Sequence, residues 1–270
     1  MTREMMENVA RELGNAEVTT VKKNGVDKIA IQVKEGNVGA ILYAESFEDC
    51  STVEEAVAKV GAIMGPNKDN MERIAGIGSF FVDYNNVKEN LTVRLLSGAD
   101  DADVFRSAKR IGFDGLKIVP YVNVPAEFIG ESGAIKVKKE HLKHWGVTAK
   151  EVIDTAIKNA EKDTETQSLF GFVAELTGID DGLVDLPDGP IIVTNKAKYF
   201  GAAAILGLIP SLKKKYKDGF FVIPSSVHEV LVMPNGFNGV DKDTISAMVK
   251  DVNATCMSPE EILADHAFAF

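Results

Sequence analysis

The sequence contains one short polar stretch whose residue types could carry out chemistry. Residues Ser225–Glu229 stand between two apolar runs, at 219–223 and 230–233. Apolar runs of this length, bounded by Gly or Pro, are typical of buried strands. Pro224 has no backbone N–H, so we expect strand pairing to break there. The polar side chains are therefore predicted to lie at a strand end or corner, where a scaffold commonly presents functional groups.

A serine and a histidine two positions apart can form a nucleophile and its base. On an extended segment Ser226 and His228 share one face, with Cβ atoms about 7 Å apart. With Asp265 or Glu229 orienting the imidazole, the pair predicts a serine-dependent hydrolase. However, the sequence has no G-x-S-x-G motif and no glycine near Ser226 to form an oxyanion hole.

The same residues also have a simpler interpretation. Serines that cap the backbone and a structural histidine explain the polar stretch equally well. In that case Ser225 and Glu229 are candidates for contacts with a bound ligand rather than for catalysis. Whether Ser226, His228 and an acid converge in a cleft decides between the two hypotheses.

A weaker candidate site follows the predicted strand 190–194. Gly201 begins a run of small residues that opens a predicted helix, and its backbone N–H groups, with Asn195 nearby, could bind an anion or a nucleotide. Close packing of small residues against a sheet is the more frequent reason for such a run. The chain contains no P-loop and no dinucleotide-binding fingerprint.

The sequence predicts no metal site and no cofactor. His141 and His144 are three positions apart on a predicted helix, but no H-E-x-x-H motif and no recognisable third ligand accompany them. A solvated or half-buried helix face is the expected environment, with Trp145 anchoring the helix to the core. Cys50 and Cys256 form no C-x-x-C pair, which suits a reducing compartment.

Composition excludes some classes of partner. The chain has 270 residues, 45% of them hydrophobic, and a formal net charge of −10. This negative balance argues against nucleic acid or an anionic membrane as the main partner. The first residues lack the apolar core of a signal peptide, and no apolar segment approaches the length of a membrane span, so we expect a cytoplasmic protein. The partner, the substrate and the oligomeric state stay open.

The order of predicted elements indicates an α+β fold with mainly antiparallel sheet and packed helices. An Asn24-Gly25 turn joins the first two strands, and Pro120 places its strand at a sheet edge or a bulge. The chain is expected to form two closely associated halves, 1–125 and 126–270. Strands are predicted at 18–21, 28–33, 38–43, 91–96, 116–124, 134–137, 190–194, 219–223 and 230–233. Helices are predicted at 2–13, 70–81, 100–110, 139–145, 148–160, 165–176, 198–217 and 243–253, with others beginning at Thr52 and Ser258.

Several blocks in the second half resemble a known family. They include Glu140-His141-Leu142 with Trp145-Gly146-Val147, Val193-Thr194-Asn195-Lys196 with Gly201-Ala202-Ala203, Ile223 to Val230, Val252 to Thr255, Ser258 to Glu261, and Asp265. In order and spacing these blocks are similar to an uncharacterised bacterial family, domain of unknown function 5688. The match is expected mainly in the second half. The resemblance implies a cytosolic protein of bacteria or mobile elements and brings no activity with it.

No complete catalytic constellation is present in the sequence. The leading hypothesis is therefore a cytosolic module that binds a protein or a small ligand without catalysis. The alternatives are the hydrolase using Ser226 and His228 and, more weakly, anion or nucleotide binding between Asn195 and Gly201.

Overall fold

The computed structural model describes residues 1–35, 38–64, 76–129, 133–178 and 188–270. Three antiparallel sheets lie in these ranges, so the predicted α+β class with mainly antiparallel sheet is confirmed. The helices in these ranges are α1 Arg3–Leu13, α2 Val53–Met64, α3 at 76–82, α4 Tyr84–Val87, α5 Ala126–Ile129, α6 Lys139–Trp145, α7 Ala149–Lys162, α8 Leu169–Thr177, α9 Ile205–Lys215 and α10 Lys242–Cys256.

The first sheet is a three-stranded meander. It consists of β1 Ala16–Lys23, β2 Val26–Glu35 and β3 Val38–Tyr43, and the predicted Asn24-Gly25 turn joins the first two strands. Its residues, with α1, α2 and the fully buried Phe47, form a separate apolar cluster. This part of the chain is thus a small layered unit with its own core.

The second sheet occupies the middle of the chain. Its central strand β6 (Leu116–Val124) pairs with β4 (Leu91–Ser97) on one side, and with β5 (Arg106–Ser107) and β7 (Gly133–Lys136) on the other. Helix α7 packs on β4 through buried aliphatic side chains and joins the largest apolar cluster. The division into halves at residue 125 stays a prediction, and β7 pairs with β6 across it.

The third sheet carries the polar stretch predicted from the sequence. Its order is β12 (Phe268–Ala269), β10 (Phe220–Pro224), β11 (Val230–Pro234), β9 (Ile191–Asn195) and β8 (Thr164–Ser168). All five residues of β10 are buried, as expected for an apolar run between two neighbouring strands. Helix α10 packs against β10 on one face.

One predicted helix is wrong, and another is predicted to begin too early. Residues 100–110 hold the short strand β5 and a 3-10 turn, because the buried Asp100 accepts a hydrogen bond from the backbone N–H of Ala102 and diverts the chain from a helix. Residues 165–176 begin with the edge strand β8, and the helix α8 starts only at Leu169. The polar edge strand has no apolar alternation that would reveal it.

Three smaller expectations also need correction. Pro120 lies in a central strand, at the point where pairing of β6 changes from β5 to β7, so its missing N–H interrupts neither ladder. The helix predicted at 198–217 begins as a 3-10 turn at Gly201 and becomes α-helical at Ile205, with Pro210 inside it. The helix expected at Ser258 is a single 3-10 turn. The part of the helix predicted at 70–81 that precedes residue 76 lies outside the described residues. The acidic stretch 178–189, whose glycines and aspartates predict a loop, also lies outside them over 179–187.

No helix within the described ranges is both long and apolar enough to cross a membrane.

A buried amide joins the meander to the second sheet and to the segment that precedes β12. Asn24, which is 4% exposed, donates from Nδ2 to the carbonyls of Glu260 and Ile262, and its Oδ1 accepts from the N–H of Ser97 at 2.6 Å. Its φ of 49° lies in the left-handed region, which Asn adopts more readily than most residues.

We expect Asn24→Ala to lower the free energy of unfolding by about 2–4 kcal/mol, because it removes these bonds and leaves a buried N–H unpaired. Urea unfolding followed by circular dichroism measures this change. Asn15→Ala, which removes an exposed amide that donates to Lys34 O, is the matched control. Equal losses for the two variants would contradict the assigned role of Asn24.

Lys28 makes a second bridge between the meander and the C-terminal segment. Its Nζ lies 2.7 Å from carboxylate oxygens of both Glu45 and Glu260, in a cleft of about 370 Å³. The hydrogen bond from Lys28 lowers the pKa of Glu45. Burial acts to raise the pKa of Glu260, but the bond and charge of Lys28 outweigh it and leave that pKa below its ordinary value.

Carboxylates with a lowered folded-state pKa stabilise the fold above their unfolded pKa of 4.5 and lose that effect as the pH falls through the folded value. Lys28→Met should therefore destabilise the protein at neutral pH. The difference in stability between the variant and the parent should shrink below about pH 4. Urea midpoints across this range, with Lys34→Met as the exposed control, measure the effect. A difference that does not change with pH would refute it.

Candidate functional site

The hairpin of β10 and β11 closes through Ser225–Glu229, so the predicted polar corner exists. The N–H of Ser226 donates to the carbonyl of Glu229, and Ser226 Oγ accepts from the N–H of His228 at 2.9 Å. Ser225 Oγ donates to Glu229 Oε1 at 3.3 Å. The side chains of Ser225, Ser226 and Glu229 therefore form hydrogen bonds within the loop itself and shape it.

Both nitrogens of the His228 ring face protein groups. Nδ1 accepts the backbone N–H of Phe200 at 3.1 Å, which assigns the ring hydrogen of the neutral imidazole to Nε2. Nε2 lies 3.5 Å from Glu261 Oε1. The carbonyl of Glu261 also accepts the N–H of Val227 at 2.8 Å, so the acid is held by the same corner.

The three residues predicted as a triad are arranged differently from a catalytic one. Ser226 and His228 share the loop, but Ser226 Oγ already accepts a hydrogen bond from a backbone N–H. Ser226 is also buried, with 8% of its surface exposed. Asp265 pairs with His266 at 3.1 Å, and that hydrogen bond lowers its pKa. Glu261 is the acid beside the imidazole. A general base needs a free lone pair aimed at the nucleophile, and His228 Nδ1 is already occupied.

The second predicted region lies against this corner. Thr194 Oγ1 donates to the carbonyl of His228 at 2.8 Å, and the Asn195 side chain bonds to both the N–H and the carbonyl of Tyr199. Gly201 fits so closely that an added Cβ would lie 2.7 Å from His228 O. The N–H of Ala202 donates to Val227 O. The run of small residues thus packs tightly, and one of its first N–H groups is already paired.

A small cleft of about 70 Å³ opens where this region meets the middle sheet. It contains two of the predicted ligand-binding residues, Asn195 and Gly201, together with polar side chains from β4, β6 and the loop before β8. Its polar lining residues are Thr92, Asn123, Asp163 and Asn195, and Phe200 and Gly201 close one side. Side-chain amides, a hydroxyl and a carboxylate beside an aromatic ring are the groups that orient a small polar ligand.

The loop bordering the cleft is held in an unfavourable conformation. Lys198 has φ 50° and Phe200 has φ 48°, in the left-handed region that bulky residues rarely enter. The hydrogen bond to His228 Nδ1 and the two bonds from Asn195 hold this loop in place. Such conformations cost about 1–3 kcal/mol each and concentrate at ligand-binding sites.

Sequence reasoning missed two residues here, Arg94 and Tyr199. The guanidinium carbon of Arg94 lies 3.8 Å from the ring centroid of Phe200 and 4.1 Å from that of Tyr121. The ring of Tyr199, which is 49% exposed, lies 5.2 Å from that of His228 and 5.8 Å from the Arg94 cation. A charged residue inside the otherwise apolar run Val93 to Leu96 was the available signal.

The histidines of α6 serve the helix itself. His141 Nδ1 accepts the N–H of Lys138, its ring contacts Phe81 and Trp145, and burial lowers its pKa. His144 is exposed. In the described part of the chain, no group of three or more His, Cys, Asp or Glu side chains could hold a metal ion.

Comparison with known proteins gives one match. The family model described as "Family of unknown function (DUF5688)" matches residues 1–270, the whole chain. The expectation that the resemblance lies mainly in the second half is therefore too narrow. No curated protein and no solved structure matches the chain.

The corner geometry predicts that Ser226 is structural. Ser226→Ala should lower the free energy of unfolding by about 1 kcal/mol, because the N–H of His228 loses its acceptor. Chemical denaturation measures the change, with Ser246→Ala as a control for loss of another serine that accepts a backbone N–H. Full parental stability of Ser226→Ala would show that the hydrogen bond contributes nothing.

Proposed function

This chain belongs to the family of unknown function DUF5688, and we propose that it binds a small polar ligand, without catalysing its conversion, at the cleft beside Asn195. The observation that carries the proposal is the convergence of Asn195, Phe200 and Gly201 on one cleft with Thr92 and Asn123 of the middle sheet. Residues from distant parts of the chain there present polar groups next to an aromatic ring.

The strained loop supports binding at this position. Phe200 lines the cleft, yet its backbone conformation is unfavourable and is maintained by the hydrogen bond to His228. Fixing such a loop before the ligand arrives reduces the ordering cost that binding would otherwise carry. The two hydrogen bonds of Asn195 to Tyr199 have the same effect.

The hydrogen bonds of the corner favour binding over hydrolysis. Ser226 Oγ and His228 Nδ1 both accept backbone N–H groups, so neither is arranged as a nucleophile or base toward the other. Asp163, exposed in the cleft, lies 3.6 Å from Lys196, which balances its charge. The cleft therefore suits a ligand held by hydrogen bonds.

An NMR screen tests the proposal. ¹⁵N-labelled protein is titrated with a panel of neutral sugars, nucleosides, amino acids, carboxylates and phosphates. We expect at least one compound to shift the backbone signals around Thr92, Asn123 and Asn195 with a Kd below about 1 mM. Asn195→Ala should weaken that compound at least about tenfold, because the loop loses two hydrogen bonds. Asn253→Ala, which loses an amide bond to Ala264 elsewhere, should bind like the parent.

Two outcomes would overturn the proposal. If no compound in the panel shifts these signals, or if the shifts fall elsewhere, the cleft is not a ligand site. A fluorophosphonate probe that labels the parent at Ser226, and not Ser226→Ala, would replace binding with serine-dependent hydrolysis. We expect no labelling at that residue.

A further inference from the structure

Arg94 occupies an unusual position for a cation. It lies in the middle of β4, between the buried side chains of Val93 and Leu95. Its guanidinium is close to the rings of Phe200 and Tyr121, at 3.8 Å and 4.1 Å from their centroids. Stacking of this kind uses the faces of the guanidinium and leaves the N–H groups in its plane available for hydrogen bonds. Arg94 makes one such bond with the side chain of Tyr121.

The charge of Arg94 has no counterion in the described part of the chain. Among these residues, no carboxylate oxygen lies within 4.0 Å of the guanidinium. The neighbouring cation Lys136 is fully matched, because its Nζ lies 3.0 Å from buried Asp100 and 3.1 Å from Asp101. Buried and half-buried charges in proteins are normally paired with an opposite charge, so a guanidinium without a carboxylate partner indicates a position for an external anion.

Three phenols from different parts of the chain lie near enough to this position to interact with its charge. Tyr43 ends β3, Tyr121 is in β6 and Tyr199 is in the loop, and all three interact electrostatically with Arg94. Burial raises the pKa of Tyr43 and of Tyr121, so both remain neutral O–H donors at physiological pH. Burial lowers the pKa of Arg94, and an arginine stays protonated at neutral pH even so.

We propose that Arg94, with Tyr43, Tyr121 and Tyr199 nearby, binds an oxyanion, either a carboxylate or a phosphate group. The planar fork of a guanidinium matches two oxygens of either group in a bidentate hydrogen bond. The buried rings of Tyr121 and Phe200, which lie against the guanidinium, shield the bond from water and strengthen it. Phe200 belongs both to this site and to the neighbouring cleft, so binding at one position affects binding at the other.

This inference extends the proposed function by giving the ligand a negatively charged group. It can fail alone: a neutral ligand that binds the cleft equally well in the parent and in Arg94 variants leaves the proposed function intact. The experiment therefore uses simple anions, inorganic phosphate and acetate, which probe Arg94 without requiring the remainder of a ligand.

The arginine Nε–H signals of ¹⁵N-labelled protein give a direct measurement. We expect phosphate or acetate, added up to about 20 mM, to shift the Arg94 signal, which is identified by its loss in Arg94→Lys. Affinity should fall at least about tenfold in Arg94→Gln and by a smaller factor in Arg94→Lys, which keeps the charge and loses the fork. Arg11→Gln removes an exposed arginine of α1 and should leave the affinity unchanged.

The response to the two anions distinguishes the ligand classes. A preference for phosphate indicates a phosphorylated ligand, and a preference for acetate indicates a carboxylic acid; both support the site. If neither anion moves the Arg94 signal, or if Arg94→Gln binds as tightly as the parent, Arg94 is a structural cation stacked on aromatic rings and the proposal is wrong. Should Arg94→Gln fail to fold, two milder variants are compared with the parent for anion affinity. Arg94→Lys keeps the positive charge, and Tyr121→Phe keeps the aromatic ring.

Discussion

The structure depends on one buried amide, that of Asn24, which makes three hydrogen bonds to two separate parts of the chain. From the first turn of the meander it reaches the end of β4 and the segment just before the C-terminal strand. Gly25 permits this approach, because an added Cβ would lie 2.8 Å from that of Ala99 and its φ is 88°. The meander has its own apolar core, so its position relative to the other sheets is set largely by polar contacts such as this one and the Lys28 bridge.

The same C-terminal segment also positions the candidate site. Its Glu260 carbonyl accepts from Asn24, while the next residue, Glu261, contacts Val227 and His228. His228 in turn fixes Phe200, which lies against Arg94. A short series of direct contacts therefore connects the meander, the hairpin corner and the middle sheet. Each contact is a hydrogen bond or a ring contact whose geometry tolerates little displacement.

A site at the junction of sheets has a physical rationale. Strand ends and loops leave polar groups that the regular ladders do not use, and the sheets hold those groups rigidly. The arrangement has a cost, since Lys198 and Phe200 adopt left-handed conformations and Arg94 keeps a charge among apolar neighbours. Unfavourable local features of this kind persist where the surrounding structure enforces them, and they are common at binding sites.

Local signals predicted much of the secondary structure. The helices predicted to begin at Thr52 and Thr148 do so with a capping box of Thr52 and Glu55 and a side-chain cap of Thr148, and Gly146 ends α6 with φ 67°. These features succeed because their partners lie three or four residues apart in sequence. The prediction failed at 100–110 and at β8. In the first case Asp100 is committed to Lys136, 36 residues away, and in the second the strand exists only because β9 pairs with it.

By itself the sequence determined the α+β class, the polar corner between two buried strands, and a resemblance to the family, which was placed mainly in the second half although it extends over the whole chain. Only the tertiary structure decided which side chains meet. It placed Glu261 rather than Asp265 beside His228, brought Asn195 to the same corner, and gathered rings from three regions near Arg94. The physical reason is distance along the chain: caps and turns are local interactions, whereas a binding site forms from residues that only sheet pairing and close packing bring together.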